Sequence, residues 1–192
     1  MNRSFPNYLT ESARVVAAAA QTIPQEAVDR AVEAVVTALE TGKAVLVCGN
    51  GGSAADADHI AGELVCRFLH DRRALKVISL SSQGSALTAS GNDLGFEAVF
   101  ARQVEAYGEP GGVLLGLSTS GNSGNILAAF EKARAIGMTT VALTGEGGGK
   151  LAPLAHHLLA VPSRSTPFIQ QVHVCLYHYL CGEIETRIAA KP

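Results

Sequence analysis

The chain of 192 residues has no tryptophan, and aromatic residues make up only 5%. A platform for stacking nucleobases is therefore not expected. Charged residues make up 17% and the net charge is −2, with no cluster of Lys and Arg. Neutralising the phosphates of a duplex needs such a cluster, so nucleic acid is not an expected partner. Long apolar runs are missing too. Stretches such as Val45–Cys48 and Val113–Leu117 end at Gly or Ser, far short of the roughly 18 residues of a membrane span. Met1–Thr10 is polar, so no secretory leader is expected. The cysteines are Cys48, Cys66, Cys175 and Cys181, and no two have C-x-x-C spacing. Reduced, mostly buried thiols in a cytoplasmic protein are the expectation.

What the chain does have is a hydrophobic fraction of 47%, ample for a core and too high for wholesale disorder. Its length suits one domain over residues 1–192. Helices are expected over Asn7–Gln21 and Gln25–Glu40, the second with Pro24 at its start and Gly42 after its end. The period then changes. Apolar runs at Ala44–Cys48, Leu75–Leu80, Val113–Leu117, Thr139–Leu143 and His157–Val161 read as five strands. Helical stretches lie between them: Ser53–Phe68, Ser85–Ala89, Phe96–Ala106 and a segment ending near Ile136. A long helix over Pro167–Ile188 closes the chain. This alternation predicts an α/β fold with a doubly wound, five-stranded parallel sheet covered by helices on both faces. The two N-terminal helices and the last one exceed what such a sheet needs, so an oligomer is expected.

In an open parallel sheet, ligands bind beyond the carboxyl ends of the strands. The first such end is Gly49-Asn50-Gly51-Gly52-Ser53-Ala54. It has the form G-x-G-x-x-A, but the next strand ends Ser79-Leu80-Ser81-Ser82, without the acid that would hold a dinucleotide's ribose. The loop is either a tight glycine turn or a place where a ligand nears the backbone, with Asn50 offering an amide. The second is Ser118-Thr119-Ser120-Gly121-Asn122-Ser123, four hydroxyls ahead of a helix. Hydroxyls and free N–H groups at a helix start suit an anion. No Gly-Lys-Ser/Thr is present, so a monophosphate ester fits better than a nucleotide triphosphate. The plainer reading is N-capping by Ser123 or Ser120. Asn92-Asp93 is expected in a turn, as a helix cap or a ligand contact.

His59 and Glu63 stand at i, i+4 on the helix after the glycine loop, beside the apolar Ile60 and Leu64. They read either as a surface ion pair or as a pair that binds a divalent metal or moves protons. The last helix carries Gln170, His173 and His178 in apolar surroundings. Gln170 and His178 lie about 12 Å apart along a helix axis. One helix does not bring both to a small ion, unless Gln170 sits in a non-helical start or two subunits contribute.

The stretch from Cys48-Gly-Asn-Gly-Gly-Ser to His59-Ile-Ala-Gly-Glu63 closely resembles the first motif of the phosphoheptose isomerase family, whose members are SIS-domain proteins. Gly91-Asn-Asp-Leu-Gly-Phe96, Leu117-Ser-Thr-Ser-Gly-Asn-Ser123 and Leu143-Thr-Gly-Glu-Gly-Gly-Gly-Lys150 resemble further motifs, as does Ile169-Gln-Gln-Val-His173 with His178. The resemblance covers about residues 8 to 186. It implies aldose–ketose isomerisation of sedoheptulose 7-phosphate, the first step toward activated heptose precursors, in a cytoplasmic homotetramer with sites at subunit boundaries. It implies one Zn²⁺ per subunit, held by His59, Glu63, Gln170 and His178, with Glu63 and His178 carrying the proton transfers. Substrate contacts would fall on Asn50, Gly51, Gly52, Glu63, Asn92, Asp93, Ser118, Thr119, Ser120, Ser123 and Gln170. One departure is Phe168, where the family pattern has Arg. The competing reading is a SIS-fold adaptor that binds a protein partner, which would need neither Glu63 nor His178.

Overall fold

The computed structural model describes residues 4–190; residues 1–3 and 191–192 of the expected domain lie outside the described residues. Helices α1 (Phe5–Thr22) and α2 (Gln25–Glu40) precede the sheet. The strands are β1 (Val45–Gly49), β2 (Val77–Ser79), β3 (Val113–Ser118), β4 (Thr139–Thr144) and β5 (His157–Ala160). They are joined by α3 (Gly52–Val65), α4 (Gly84–Asp93), α5 (Val99–Tyr107) and α6 (Gly124–Ile136), and α7 (Thr166–Ala189) ends the chain. All pairings are parallel, in the order β2-β1-β3-β4-β5. The expected α/β architecture is therefore the observed one.

The strands are apolar on both faces because both faces are covered. Val45, Val47, Val113, Leu115, Leu117, Val141 and Leu143 pack beneath α2, α3 and α7. The alternate residues Leu46, Cys48, Leu114 and Ala142 pack against α5 and α6. A smaller cluster of Val15, Ala19, Val161, Ile169 and Val172 docks α1 on α7. Phe168 joins it from the side, its ring 5.1 Å from that of Tyr8. The departure from the family pattern thus supplies packing for α1.

Several boundaries shift, each for a local reason. The helix after the glycine loop stops at Val65 rather than Phe68, because the chain there turns to donate backbone N–H groups to Glu185. The fourth helix runs on to Asp93, so Asn92 and Asp93 lie in a last helical turn, not in a turn between elements. Gly95, at φ 89, then changes the chain direction, and a short 3-10 turn over Phe96–Ala98 precedes α5. Cys48 and Cys181 are buried and Cys66 and Cys175 exposed, so the thiols divide evenly instead of being mostly buried. Burial pushes the Cys48 thiol up to about 12. No helix among the described residues is long and apolar enough to cross a membrane.

Candidate active site

Chain connections run from β1 outward to β2 on one side and from β3 outward on the other, so the strand order reverses between β1 and β3. That crevice is where an open α/β sheet binds ligands. It holds both loops singled out in the sequence, since Gly49 pairs with Leu117 at the strand ends. Across it, Asn50 Nδ2 donates to Asn125 Oδ1 at 2.9 Å, and Asn125 Nδ2 donates to Asn50 Oδ1 at 2.8 Å. The Asn50 amide is thus committed to the partner helix, and Asn125, buried in the first turn of α6, is a site residue the sequence reading missed. An asparagine just after a hydroxyl loop and inside a helix was the available signal, because it is a poor helix former.

The hydroxyl loop does not behave as a simple cap. Ser123 stands at the N-cap of α6 but makes no side-chain capping bond. Its Oγ instead lies 3.1 Å from Ser118 Oγ. Ser120 Oγ accepts from the backbone N–H of Asn122 at 3.1 Å. The loop is braced from behind by the segment after β4: Gly145 N donates to Thr119 O, and Leu151 N to Gly121 O. Gly121 has φ 63, and a Cβ there would lie 2.0 Å from Gly148 O, so the two backbones are in direct contact there, and Asn122 Oδ1 adds a bond from Lys150 N at 3.1 Å. Glycines at 145 and 147–149 therefore shape the hydroxyl loop, a role the motif did not announce. Residues 96–98 reach the same helix start, with Glu97 beside Gly124. Asn92 and Asp93 are exposed nearby in sequence, paired to each other at 2.7 Å.

Two turns further along α3, about 10 Å from the glycine turn, His59, Glu63 and His178 converge: one ligand atom from each falls within 4.8 Å of the others. His59 Nε2 is 2.9 Å from Glu63 Oε1 and 3.4 Å from His178 Nε2. His59 and Glu63 sit at the rim of α3, not on its buried stripe. Ile60 and Leu64 take that stripe, one residue or about 100° further round. The rim position leaves the three polar groups accessible while the core holds their helices.

Three supports of this cluster were not foreseen. Tyr177, buried beside His178, places its hydroxyl 3.0 Å from His59 Nδ1 and 3.4 Å from Asp56 Oδ1. Burial, then the Asp56 charge, pushes the Tyr177 phenol up to about 12, and burial raises the Asp56 carboxyl. Phe68 stacks on the His178 ring at 5.6 Å and 6°. Glu185, fully buried, accepts from Phe68 N and His70 N at 2.8 Å each and pairs with Arg72 at 3.3 Å. Burial works to raise the Glu185 carboxyl, but those N–H groups and Arg72 outweigh it and hold it below the ordinary value. Arg72 in turn donates to the carbonyls of Cys66 and Glu63 at 2.8 Å, closing the end of α3. A carboxylate amid Cys181, Ile184 and Ile188 was the only local sign of this anchor.

Gln170 lies elsewhere. The last helix begins at Thr166, so Gln170 is helical and the non-helical start is excluded. Its amide covers the glycine turn: a Cβ on Gly52 would sit 2.5 Å from Gln170 Nε2. Within one chain it faces the β1 loop rather than the His59 cluster. His173 is buried, with Nε2 3.2 Å from Thr144 O, and burial lowers it to about 4; it is a neutral core histidine.

This sheet, with a hydroxyl loop at its switch point, is that of a SIS domain, and a family model of that description matches residues 7–145. The chain is 51% identical to the phosphoheptose isomerase of Helicobacter pylori strain P12 over 87% of each chain. Among solved structures, the phosphoheptose isomerase of Neisseria gonorrhoeae superposes with a TM-score of 0.87 at 41% identity, covering 93% of this chain and 96% of that one. That of Francisella tularensis gives 0.90 at 38%, covering 94% and 96%. The chain belongs to the phosphoheptose isomerase family.

Proposed function

We propose that this chain converts D-sedoheptulose 7-phosphate to D-glycero-D-manno-heptose 7-phosphate, in the cytoplasm, as the first step toward activated heptose precursors. Its family makes it a sugar-phosphate isomerase. The observation that carries the finer reading is the meeting of His59, Glu63 and His178 on α3 and α7, the first of which starts from the glycine turn beside the hydroxyl loop.

The donor set suits zinc: two imidazole nitrogens and a carboxylate oxygen leave a fourth position open. The 3.4 Å between His59 Nε2 and His178 Nε2 is close to the roughly 3.3 Å between two ligands of a tetrahedral ion with bonds of about 2.0 Å. When bound, the metal would polarise the sugar carbonyl and steady negative charge on its oxygen. A ligand role for Gln170 requires the α7 of a neighbouring subunit. A homotetramer supports that arrangement. Val16, Tyr179 and Cys175 line an exposed groove of about 340 Å³ between α1, α2 and α7, a face suited to a second copy.

In this reading Ser118, Thr119, Ser120 and Ser123 hold the phosphate at the start of α6. Asn92, Asp93 and the Gly51–Gly52 turn under Gln170 line the sugar's path, with Asn50 shaping that turn. Glu63 removes a proton from C1, next to the C2 carbonyl, and an enediolate forms. His178 passes a proton between the two oxygens, and a proton returned to C2 completes the aldose. The contact of Glu63 with His59 uses Oε1, which leaves Oε2 for the substrate. Glu63→Gln should cut turnover by at least about 100-fold while sugar-phosphate binding, measured calorimetrically, persists. Turnover at the wild-type rate would remove Glu63 as the base. A protein that purifies without stoichiometric zinc and turns nothing over would favour the adaptor.

A further inference from the structure

His59 offers two ring nitrogens, and only one orientation and tautomer makes it useful toward Glu63 and His178. On its own helix, Glu63 Oε1 lies 2.9 Å from Nε2, a contact that fits an Nε2–H donor as well as two ligands of one cation, so Glu63 does not choose between the tautomers. What fixes them lies behind the ring. Nδ1 faces the Tyr177 hydroxyl at 3.0 Å, and that hydroxyl lies 3.4 Å from Asp56 Oδ1. The Tyr177 and His178 rings meet His59 edge-on, at 5.3 Å and 5.0 Å between centroids. Tyr177 is 2% exposed and Asp56 stands one helical turn before His59, so both are held by the framework.

We propose that Tyr177 and Asp56 are positioning residues that lock His59 as its Nδ1–H tautomer, with Nε2 aimed at Glu63 and His178. Without a cation between Nε2 and Glu63, Nε2–H donates to Glu63 Oε1 at 2.9 Å and the Tyr177 hydroxyl donates to Nδ1. With the cation there, the proton bookkeeping allows one consistent chain. An ionised carboxylate only accepts, so Asp56 takes the single proton of the Tyr177 hydroxyl. The Tyr177 oxygen is then an acceptor, and His59 Nδ1–H donates to it. The lone pair is left on Nε2, the form a metal or an acid–base partner requires. This is the outer support that a metal-binding histidine ordinarily has, here built from a tyrosine and a carboxylate in series. The tautomer and its link to zinc both rest on the metal reading above.

Two measurements test the proposal. The first is the ring ¹⁵N and ¹H spectrum of zinc-loaded protein, in which the two histidine tautomers give distinct shifts. Wild-type His59 should be the Nδ1–H form with a slowly exchanging ring proton, and Tyr177→Phe should speed that exchange or turn the ring toward the Nε2–H form. The second is zinc affinity by competition with a chromophoric chelator. Tyr177→Phe should weaken binding by about 10- to 100-fold, and Asp56→Asn by about tenfold, with the far-ultraviolet dichroism unchanged. A wild-type His59 in the Nε2–H form overturns the proposal. So do variants that leave both tautomer and affinity where they were. If wild-type protein binds no zinc, the metal reading and this proposal fail together, whereas zinc binding that the variants leave unchanged overturns this proposal alone.

Discussion

The two ends of the proposed site are built by different means. The hydroxyl loop is local: its six residues are contiguous, and its shape comes from backbone contact with glycines at 145–149. The His59–Glu63–His178 cluster is assembled from helices far apart in sequence and is held by buried side chains behind it. A phosphate can be bound by backbone dipoles and hydroxyls wherever a loop is well shaped. Proton transfer needs groups set to within a fraction of an ångström, which takes a supporting layer. Faults in the two ends should therefore separate.

The largest effect is expected at the anchor behind the cluster. Glu185→Gln leaves the buried Arg72 without its counter-charge and backbone N–H groups poorly paired. Chemical denaturation should report a loss of about 3–5 kcal/mol, with the loop after α3 exchanging its amide protons faster. A loss below about 1 kcal/mol would mean that Arg72 and the loop relax into water at little cost.

His173 sharpens the comparison from the core side. Its pKa falls from an ordinary 6.5 to about 4 on folding, so the unfolded chain binds more protons between those values. Stability then rises with pH through that window and is fully present above about 6.5. Relative to His173→Asn, wild-type protein should lose about 3 kcal/mol between pH 6.5 and pH 4, read from denaturation midpoints across that range. A constant difference would show that His173 takes up its proton in the folded protein.

At the loop end, Gly121→Ala places a methyl group against the Gly148 carbonyl and forces alanine to a positive φ. KM for the sugar phosphate should rise at least about tenfold, while zinc affinity at the other end stays at the wild-type value. Loss of both together would mean that the two ends are not independent. Smallest of all is Ser123→Ala. Because its hydroxyl pairs with Ser118 and does not cap α6, stability should change by less than about 0.5 kcal/mol. A drop of about 1 kcal/mol would restore the capping role.

This division also explains what could be read in the sequence. Five short apolar runs, four of them followed at once by Gly, Ser or Thr, are local features, and each contains a strand. Both candidate loops were legible because strand ends in such a sheet are where ligands sit. His59 and Glu63 were visible at i, i+4. That His178 joins them was expected from family likeness alone, since no spacing rule links residues on two helices. Tyr177, Asp56 as its acceptor, Arg72 and Glu185 were missed because their roles exist only across the α3–α7 contact. Asn50 was seen as an offered amide, yet Asn125 takes both its polar atoms. The Gln170–His178 separation was anticipated correctly from helix rise, and the helical start at Thr166 sharpens it.

The most direct test of the account follows sedoheptulose 7-phosphate by proton NMR in deuterium oxide, with and without a chelator. Aldoheptose signals with deuterium at C2, lost on chelation and regained with added zinc, are the expected result. Turnover that carries no deuterium and ignores the chelator would contradict it, and so would no turnover with zinc supplied.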